Sequence, residues 1–447
     1  MSVIYDRRKA CAVGLLYSLA LCGIVHYFIN PIQPTPYMDE EFHAEQTITY
    51  IKGDWRTWNP KITTPPGLYI LATLVWRFVP FEATVENLRF LNCVFAGANY
   101  IILAELTQDI LKAMAIFTLP VLTFTSLLFY TDQLSLLAIL SSLFAQRSSH
   151  NFLSFLFGFF ACFVRQTNVV WLAFMIGEKA VRLLALSQPC VRRSSFEWSI
   201  YLLKNPVEVL SALCKAALVD ASHHTVTIIL FVISLVFFNN GDIVFGDKSA
   251  HKPILHIPQL FYFFVFCAAH TSLTFLHYLG DNLRIPRGSS LFLSTFFTIL
   301  IMVMVHLFTY EHPYLLSDNR HYTFYIWSRF FRRFPQIRYT FAPLYLVSGR
   351  YVCSGLQGGV ISEFLTSLGF LIATAFAIVP AGLIEPRYFI TPYIIWRLSK
   401  PPSLNESRAS AVEIFINFGV NFGTIYLFLY HPFKWISQPF TWQRFMW

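Results

Sequence analysis

Three carboxylates stand side by side in Tyr37-Met38-Asp39-Glu40-Glu41-Phe42-His43, a polar run that follows the first long apolar stretch. Adjacent acids on a short tether from a membrane segment can stand close to a lipid headgroup and accept a proton from a substrate hydroxyl. The same run also suits a helix N-terminus, where the dipole favours Asp and Glu. Farther on, Gly246-Asp247-Lys248-Ser249-Ala250-His251 sets a Lys among small residues, where it could grip a phosphate as a point charge. The spacing is not that of a P-loop. Arg165 lies deep in an apolar stretch, and a charge there costs about 2.5 to 3.5 kcal/mol on insertion scales unless it has a partner or a watery cavity. Asp132, in Tyr130-Thr131-Asp132, is a candidate for that partner or for a cavity wall.

Two further motifs share one order. Asp318-Asn319-Arg320-His321-Tyr322 and Glu385-Pro386-Arg387-Tyr388-Phe389 each read acid, spacer, Arg, aromatic, and each leads to a Trp (Trp327, Trp396) followed by basic residues. Basic ends stay cytosolic during insertion, so each motif is expected to present an acid and an Arg at the external membrane edge.

The elements that must position these residues are membrane helices. Of the 447 residues, 55% are hydrophobic and 13% charged, against about 25% charged in soluble domains. With 47 Phe, 22 Tyr and 10 Trp and a mean hydropathy of +0.53, too few polar side chains exist to clothe a water-exposed surface. This excludes an ordinary cytosolic enzyme and predicts one all-α polytopic membrane domain over 1–447. Candidate spans are 10–29, 67–80, 88–106, 113–130, 134–146, 152–176, 224–238, 257–277, 291–309, 341–356, 362–384, 387–398 and 412–433, on the order of 12 in all. The net charge of +9 fits the positive-inside tendency and calls for no nucleic acid. Eight Cys without a C-x-x-C pair predict neither a disulfide framework nor a zinc site.

Arg7, Arg8 and Lys9 precede the first apolar stretch, which reads as an uncleaved signal anchor with residues 1–9 in the cytosol. Residues 30–66 then form the first external loop, carrying Asp39, Glu40, Glu41 and Glu45 with Trp55 and Trp58 behind them. Residues 177–222, with Lys179, Arg182, Arg192, Arg193, Lys204 and Lys215, read as a basic cytosolic loop on the membrane surface. The sequon at Asn405 lies among basic residues, so it is expected in the cytosol without a glycan.

Taken in order, the motifs resemble a known family. Tyr37-Met38-Asp39-Glu40, Thr63-Thr64-Pro65-Pro66-Gly67-Leu68-Tyr69, Asn87-Leu88-Arg89-Phe90-Leu91-Asn92, Val164-Arg165-Gln166-Thr167-Asn168, Gly246-Asp247-Lys248-Ser249, residues 318–327, Glu385-Pro386-Arg387-Tyr388-Phe389 and Arg444-Phe445-Met446-Trp447 resemble the dolichyl-phosphate-glucose alpha-1,2-glucosyltransferases of the endoplasmic reticulum. The likeness spans nearly the whole chain, and 318–327 is its most specific part.

The resemblance implies a multi-pass endoplasmic reticulum membrane enzyme of the glycosyltransferase C superfamily, with a lumenal active site. It implies glucose transfer from dolichyl phosphate glucose to the 2-hydroxyl of the terminal glucose of the diglucosylated dolichyl-diphosphate-linked oligosaccharide. Asp39 falls on the family's catalytic base. Glu41 departs from the pattern, which expects an apolar residue, and adds a third carboxylate to the choice of base. Because a beta-linked donor gives an alpha product, one inverting displacement suffices. Lys248, Arg320 and Arg387 would stabilise the departing dolichyl phosphate, and Glu40, His43, Asp132, Asp247, His251, Asp318, His321 and Glu385 complete the expected substrate site. No cofactor is demanded, and a divalent metal stays open. The partners implied are the donor, the acceptor and membrane lipid. Two other classes fit the same architecture: a dolichyl-phosphate-mannose-dependent mannosyltransferase, and a transporter or channel-modulating protein.

Overall fold

In a computed structural model, residues 5–187, 195–246, 252–282, 289–354, 356, 363–400 and 406–447 are described. Nearly all regular structure among them is helical, as the composition predicts, with one small antiparallel hairpin of Phe433–Trp435 and Gln438–Gln443. Among the described residues, five helices are long and apolar enough to cross a membrane: Arg7–Ile32, Val85–Thr107, Ser222–Asn239, Ser290–Phe308 and Glu406–Tyr430. They leave apolar side chains such as Leu15, Leu16, Phe292 and Phe415 exposed along their length, the surface of helices that face lipid. The protein is therefore an all-α, multi-pass membrane protein.

Several expected spans are not continuous helices. The stretch 152–176 breaks into Asn151–Val164 and Asn168–Ser187, with Arg165 extended between them and paired with Asp132 and Thr131. The stretch 113–130 divides into Ile110–Phe117 and Pro120–Thr125, since Pro120 has no N–H to continue the first helix. The stretch 257–277 bends by 100° between Pro258–His270 and Ser272–Asn282. At that bend Thr271 Oγ1 returns to Cys267 O at 2.7 Å and meets Tyr351 Oη at 2.8 Å. The basic loop 177–222 is itself mostly helix: the end of Asn168–Ser187, then Ser195–Lys204 and Pro206–Lys215. Val207, Leu210, Leu213 and Leu218 are exposed there, the pattern of helices lying in a membrane interface. Asn405 lies outside the described residues.

The chain divides into two compact units, Met1–Phe117 with Leu122–His251 and Gly359–Gly369, and Thr118–Val121 with Lys252–Gly358 and Phe370–Trp447. In the first unit the N-terminal helix lies close against Val85–Thr107. Gly14 faces Gly97, and Ser18 Oγ donates to Cys93 O at 2.9 Å, the small-residue contact that lets membrane helices approach. Thr84 caps that second helix by accepting from Asn87 N, and Gln108 ends it in the left-handed conformation. Two turns from Gly97, on the same helix, stands Arg89. In the second unit, Arg397 and Glu413 pair at 2.7 Å, both buried, and Arg397 also donates to Tyr393 Oη. Phe263, Phe266, Phe389 and Tyr393 pack edge to face on one another, and Tyr393 carries the cluster to Arg397.

Candidate active site

Residues 37–66 are regular and well bonded. Glu40–Ile51 is a helix whose N-cap is Asp39, yet the Asp39 side chain makes no capping bond. The three adjacent acids diverge: Glu41 is exposed, Asp39 is partly exposed, and Glu40 is fully buried. Behind the helix, buried Gln46 accepts from Asn59 N and donates to Thr57 O, while Asp54 accepts from Arg56 N, Thr57 N and Thr57 Oγ1. Those bonds, the Thr57 hydroxyl first, hold the Asp54 carboxyl below its ordinary pKa.

Glu40 meets Arg89 in a bidentate pair, Nε to Oε1 at 2.9 Å and Nη2 to Oε2 at 2.7 Å, and neither side chain is reached by solvent. Each Glu40 oxygen accepts a second bond, Oε1 from Phe129 N at 2.7 Å and Oε2 from Tyr37 N at 3.0 Å. The remaining Arg89 donors go to Asn30 Oδ1, Gln33 O and Thr35 O. One turn along the same helix, Asn92 Nδ2 donates to Leu128 O and Tyr130 O, so Asn92, together with Glu40 through Phe129 N, holds the turn before Asp132. Tyr130 Oη in turn donates to Tyr37 O at 3.3 Å.

His43, also buried, bonds Tyr69 Oη through Nδ1 at 2.8 Å, and the Asp39 carboxylate is near enough to Tyr69 to act on it electrostatically. Trp58 lies edge-on to Tyr69, and Trp55 stacks on Tyr50, so aromatic faces line this side of the loop. Thr63-Thr64-Pro65-Pro66-Gly67 joins the same assembly: Gln166 Nε2 donates to Thr63 O at 3.0 Å. Asp132 pairs with Arg165 at 2.9 Å, and Arg165 Nε donates to Thr131 Oγ1. Arg165, set between two apolar helices, thus has a carboxylate partner.

Asp247, Lys248 and His251 lie outside the described residues. The chain immediately before them is placed, however. Gly246 has φ +62°, and a Cβ there would stand 2.3 Å from Pro60 O and 2.4 Å from Ile62 O. Phe245 N donates to Thr63 O at 3.2 Å. The 239–246 segment therefore docks on residues 60–63.

The two acid-x-Arg motifs, both in the second unit, form the same local pair. Arg320 donates to both Asp318 oxygens, at 2.8 and 2.7 Å, and Arg387 donates to Glu385 Oε2 at 2.8 Å. Burial alone would raise the Asp318 carboxyl, but the Arg320 hydrogen bonds and the neighbouring His321 outweigh it and hold the carboxyl below its ordinary value. Arg320 also lies over the Trp435 ring, 4.7 Å from its centroid, and donates to Gln443 Oε1. Arg444-Phe445-Met446-Trp447 is the strap that holds this motif: Met446 N donates to Arg320 O, Tyr322 N to Met446 O, and His321 Nδ1 meets Trp447 O at 3.0 Å.

The site residues named from sequence thus form several groups. Asp39, Glu40 and His43 stand together, Asp132 stands with Arg165, Asp318 with Arg320 and His321, and Glu385 with Arg387. Sequence reading gave no role to Arg89, Asn92 or Tyr69. The signal was an Arg and an Asn three residues apart on an apolar helix, where intramembrane polar groups mark a functional face.

A family model described as the DIE2/ALG10 family matches residues 33–398. The chain belongs to the DIE2/ALG10 family. It is 34% identical to a Drosophila melanogaster protein over 97% of each chain. It is 32% identical to a human protein, over 92% of this chain and 93% of that one, and 30% identical to an Arabidopsis thaliana protein, over 94% and 96%. All three are named Dol-P-Glc:Glc(2)Man(9)GlcNAc(2)-PP-Dol alpha-1,2-glucosyltransferase. The match covers Tyr37–Phe42, Arg89, Arg165, residues 318–327 and Glu385–Phe389, so the grouped residues above all lie within the family region.

Proposed function

We infer that this member of the DIE2/ALG10 family is the alpha-1,2-glucosyltransferase that moves glucose from dolichyl phosphate glucose to the diglucosylated, dolichyl-diphosphate-linked oligosaccharide. The observation that carries the reading is end-to-end similarity to animal and plant proteins that bear that one name. Neither mannosyl transfer nor transport has such an observation behind it.

Asp39 is the base. It is the one acid of the three that is partly exposed and near the bonded His43–Tyr69 pair, whereas Glu40 is closed off by Arg89 and Glu41 is exposed. Asp39 takes the proton of the acceptor 2-hydroxyl as that oxygen bonds to the glucose C1, and the C1–phosphate bond breaks with its electrons leaving on dolichyl phosphate. Protonated Asp39 and free dolichyl phosphate are the other products. The leaving phosphate needs positive charge at a dry membrane edge, the role of Lys248, Arg320 and Arg387. His43, Asp132, Asp247, His251, Asp318, His321 and Glu385 complete the substrate site, a reading that the His43–Tyr69 bond close to Asp39 supports.

The setting is the endoplasmic reticulum membrane, with residues 30–66 lumenal and 177–222 cytosolic. The architecture is that of the glycosyltransferase C superfamily, with about 12 membrane helices. Shorter apolar helices, Gly67–Trp76, Asn151–Val164 and Phe364–Ile378 among them, supplement the five long ones toward that number. Incubating purified protein with the diglucosylated acceptor and either dolichyl phosphate glucose or dolichyl phosphate mannose tests the reading. The expected product is one hexose heavier with the glucose donor alone. Transfer from the mannose donor, or from neither, would overturn it.

A further inference from the structure

Glu40 is an acid in the catalytic loop whose chemistry is already spent. Each of its oxygens accepts two hydrogen bonds, and all five N–H groups of Arg89 are used on Glu40, Asn30, Gln33 and Thr35. A carboxylate so satisfied and wholly buried has no face left for a sugar. A buried ion pair is a weak source of stability compared with apolar packing, so its use here calls for a geometric reason.

The bonds supply that reason. They join three separated pieces of chain: residues 30–40, through Asn30, Gln33, Thr35, Tyr37 and Glu40, the Val85–Thr107 helix, and the turn at Phe129. Asp39 lies inside this frame. Tyr37 and Glu40 are bonded to each other twice, Tyr37 N to Glu40 Oε2 and Glu40 N to Tyr37 O, closing a turn around Met38 and Asp39. Met38 has φ +57°, a left-handed conformation that a Met adopts at a cost and keeps only where its surroundings impose it. That conformation sets the direction in which the next residue, Asp39, leaves the backbone.

We propose that the Glu40–Arg89 pair is a positioning device, which locks the Tyr37–Glu40 turn so that Asp39 points at the acceptor hydroxyl, and that Glu40 itself does not touch substrate. The proposal rests on the glucosyl-transfer reading with Asp39 as base. It makes Glu40 and Arg89 positioning residues, and it explains how two adjacent acids serve one reaction that needs one base.

The test compares full-length, detergent-purified wild type with Asp39→Asn, Glu40→Gln and Arg89→Lys, measuring kcat, KM for dolichyl phosphate glucose, and the pH profile of kcat. Misplacing a reacting group by about 1 Å can cost 100-fold, so Glu40→Gln and Arg89→Lys should lower kcat by about 10- to 100-fold, with KM near wild type. Both should keep the fall in rate at low pH that reports the base, and Asp39→Asn should lose it. Arg89→Lys retains the charge pair and so answers the question if Glu40→Gln does not fold. Loss of the acid limb in Glu40→Gln with retention in Asp39→Asn would make Glu40 the base and overturn the proposal. Wild-type kcat in both clamp variants, or an effect confined to KM, would also overturn it. If neither variant can be recovered folded, the pair holds the fold and not the base, and the proposal again fails. A wild type that transfers no glucose would instead overturn the assigned reaction, and the proposal with it.

Discussion

Replacing Arg444 by Met should loosen the Asp318-Asn319-Arg320-His321-Tyr322 motif without touching any of its residues. Arg444 is buried, and its Nη1 donates to Phe428 O at 2.9 Å and Leu429 O at 3.0 Å, two carbonyls at the C-terminal end of the Glu406–Tyr430 helix. Such ends leave carbonyls unsatisfied and carry negative dipole charge, so a guanidinium suits them. A hydrogen bond to a charged group contributes about 1.5 to 3 kcal/mol, and two at the low end give about 3 kcal/mol. At 1.4 kcal/mol per tenfold, the docked strap should open about a hundredfold more often. The strap reaches the motif through Met446 N to Arg320 O at 2.9 Å and Tyr322 N to Met446 O at 3.3 Å. Hydrogen exchange at the Tyr322 and Met446 amides should therefore quicken by about that factor in Arg444→Met, and less in Arg444→Lys, with the Val85–Thr107 helix unaffected. If Arg320 meets the donor phosphate, KM for dolichyl phosphate glucose should rise in step. Unchanged exchange at both amides would refute the view that residues 444–447 hold the motif in place.

Three further outcomes are expected. Asp39→Asn should lower glucose transfer by about 10²- to 10⁴-fold with normal expression and membrane insertion, whereas Glu41→Gln, at an exposed position, should stay near wild type in the same assay. Gly246→Ala should destabilise the protein in a thermal melt and lower activity, because its Cβ would strike Pro60 O; Gly241→Ala has a similar positive φ but open space around it and should cost about 1 to 2 kcal/mol at most. The Asp318 carboxyl has its pKa depressed in the folded state, so its pairing with Arg320 contributes fully above its ordinary value near 3.9 and is lost as pH falls through the lower folded value. Exchange at 318–322, corrected for intrinsic rates, should thus stay flat from about pH 8 to pH 5, and early loosening near pH 6 would contradict the pairing.

What could be read from the sequence and what could not differ for physical reasons. Apolar blocks report lipid exposure, so the membrane class and the positions of the long helices at 7–32, 85–107 and 290–308 follow from composition alone. Hydropathy is blind to a break that goes with a partner elsewhere in the chain. The interruption at Arg165 goes with its pairing to Asp132, 33 residues before it, and the bend at Thr271 goes with a bond to Tyr351. The pairing within Asp318–Arg320 and Glu385–Arg387 is local, and a spacing of two already suggests it. Glu40 looked equivalent to Asp39 because its partner Arg89 is 49 residues away and belongs to a different membrane helix. The short C-terminal strap carried no periodic signal at all, since its role lies in backbone bonds to residues 320 and 322.

The most direct test of the assigned reaction is the mass of the lipid-linked oligosaccharide in cells from which this protein has been removed. It should be one hexose short, and wild-type protein should restore that hexose while Asp39→Asn, present at an equal level, should not. An oligosaccharide of full length in the depleted cells, or one lacking several sugars, would contradict terminal glucose transfer as the activity of this chain.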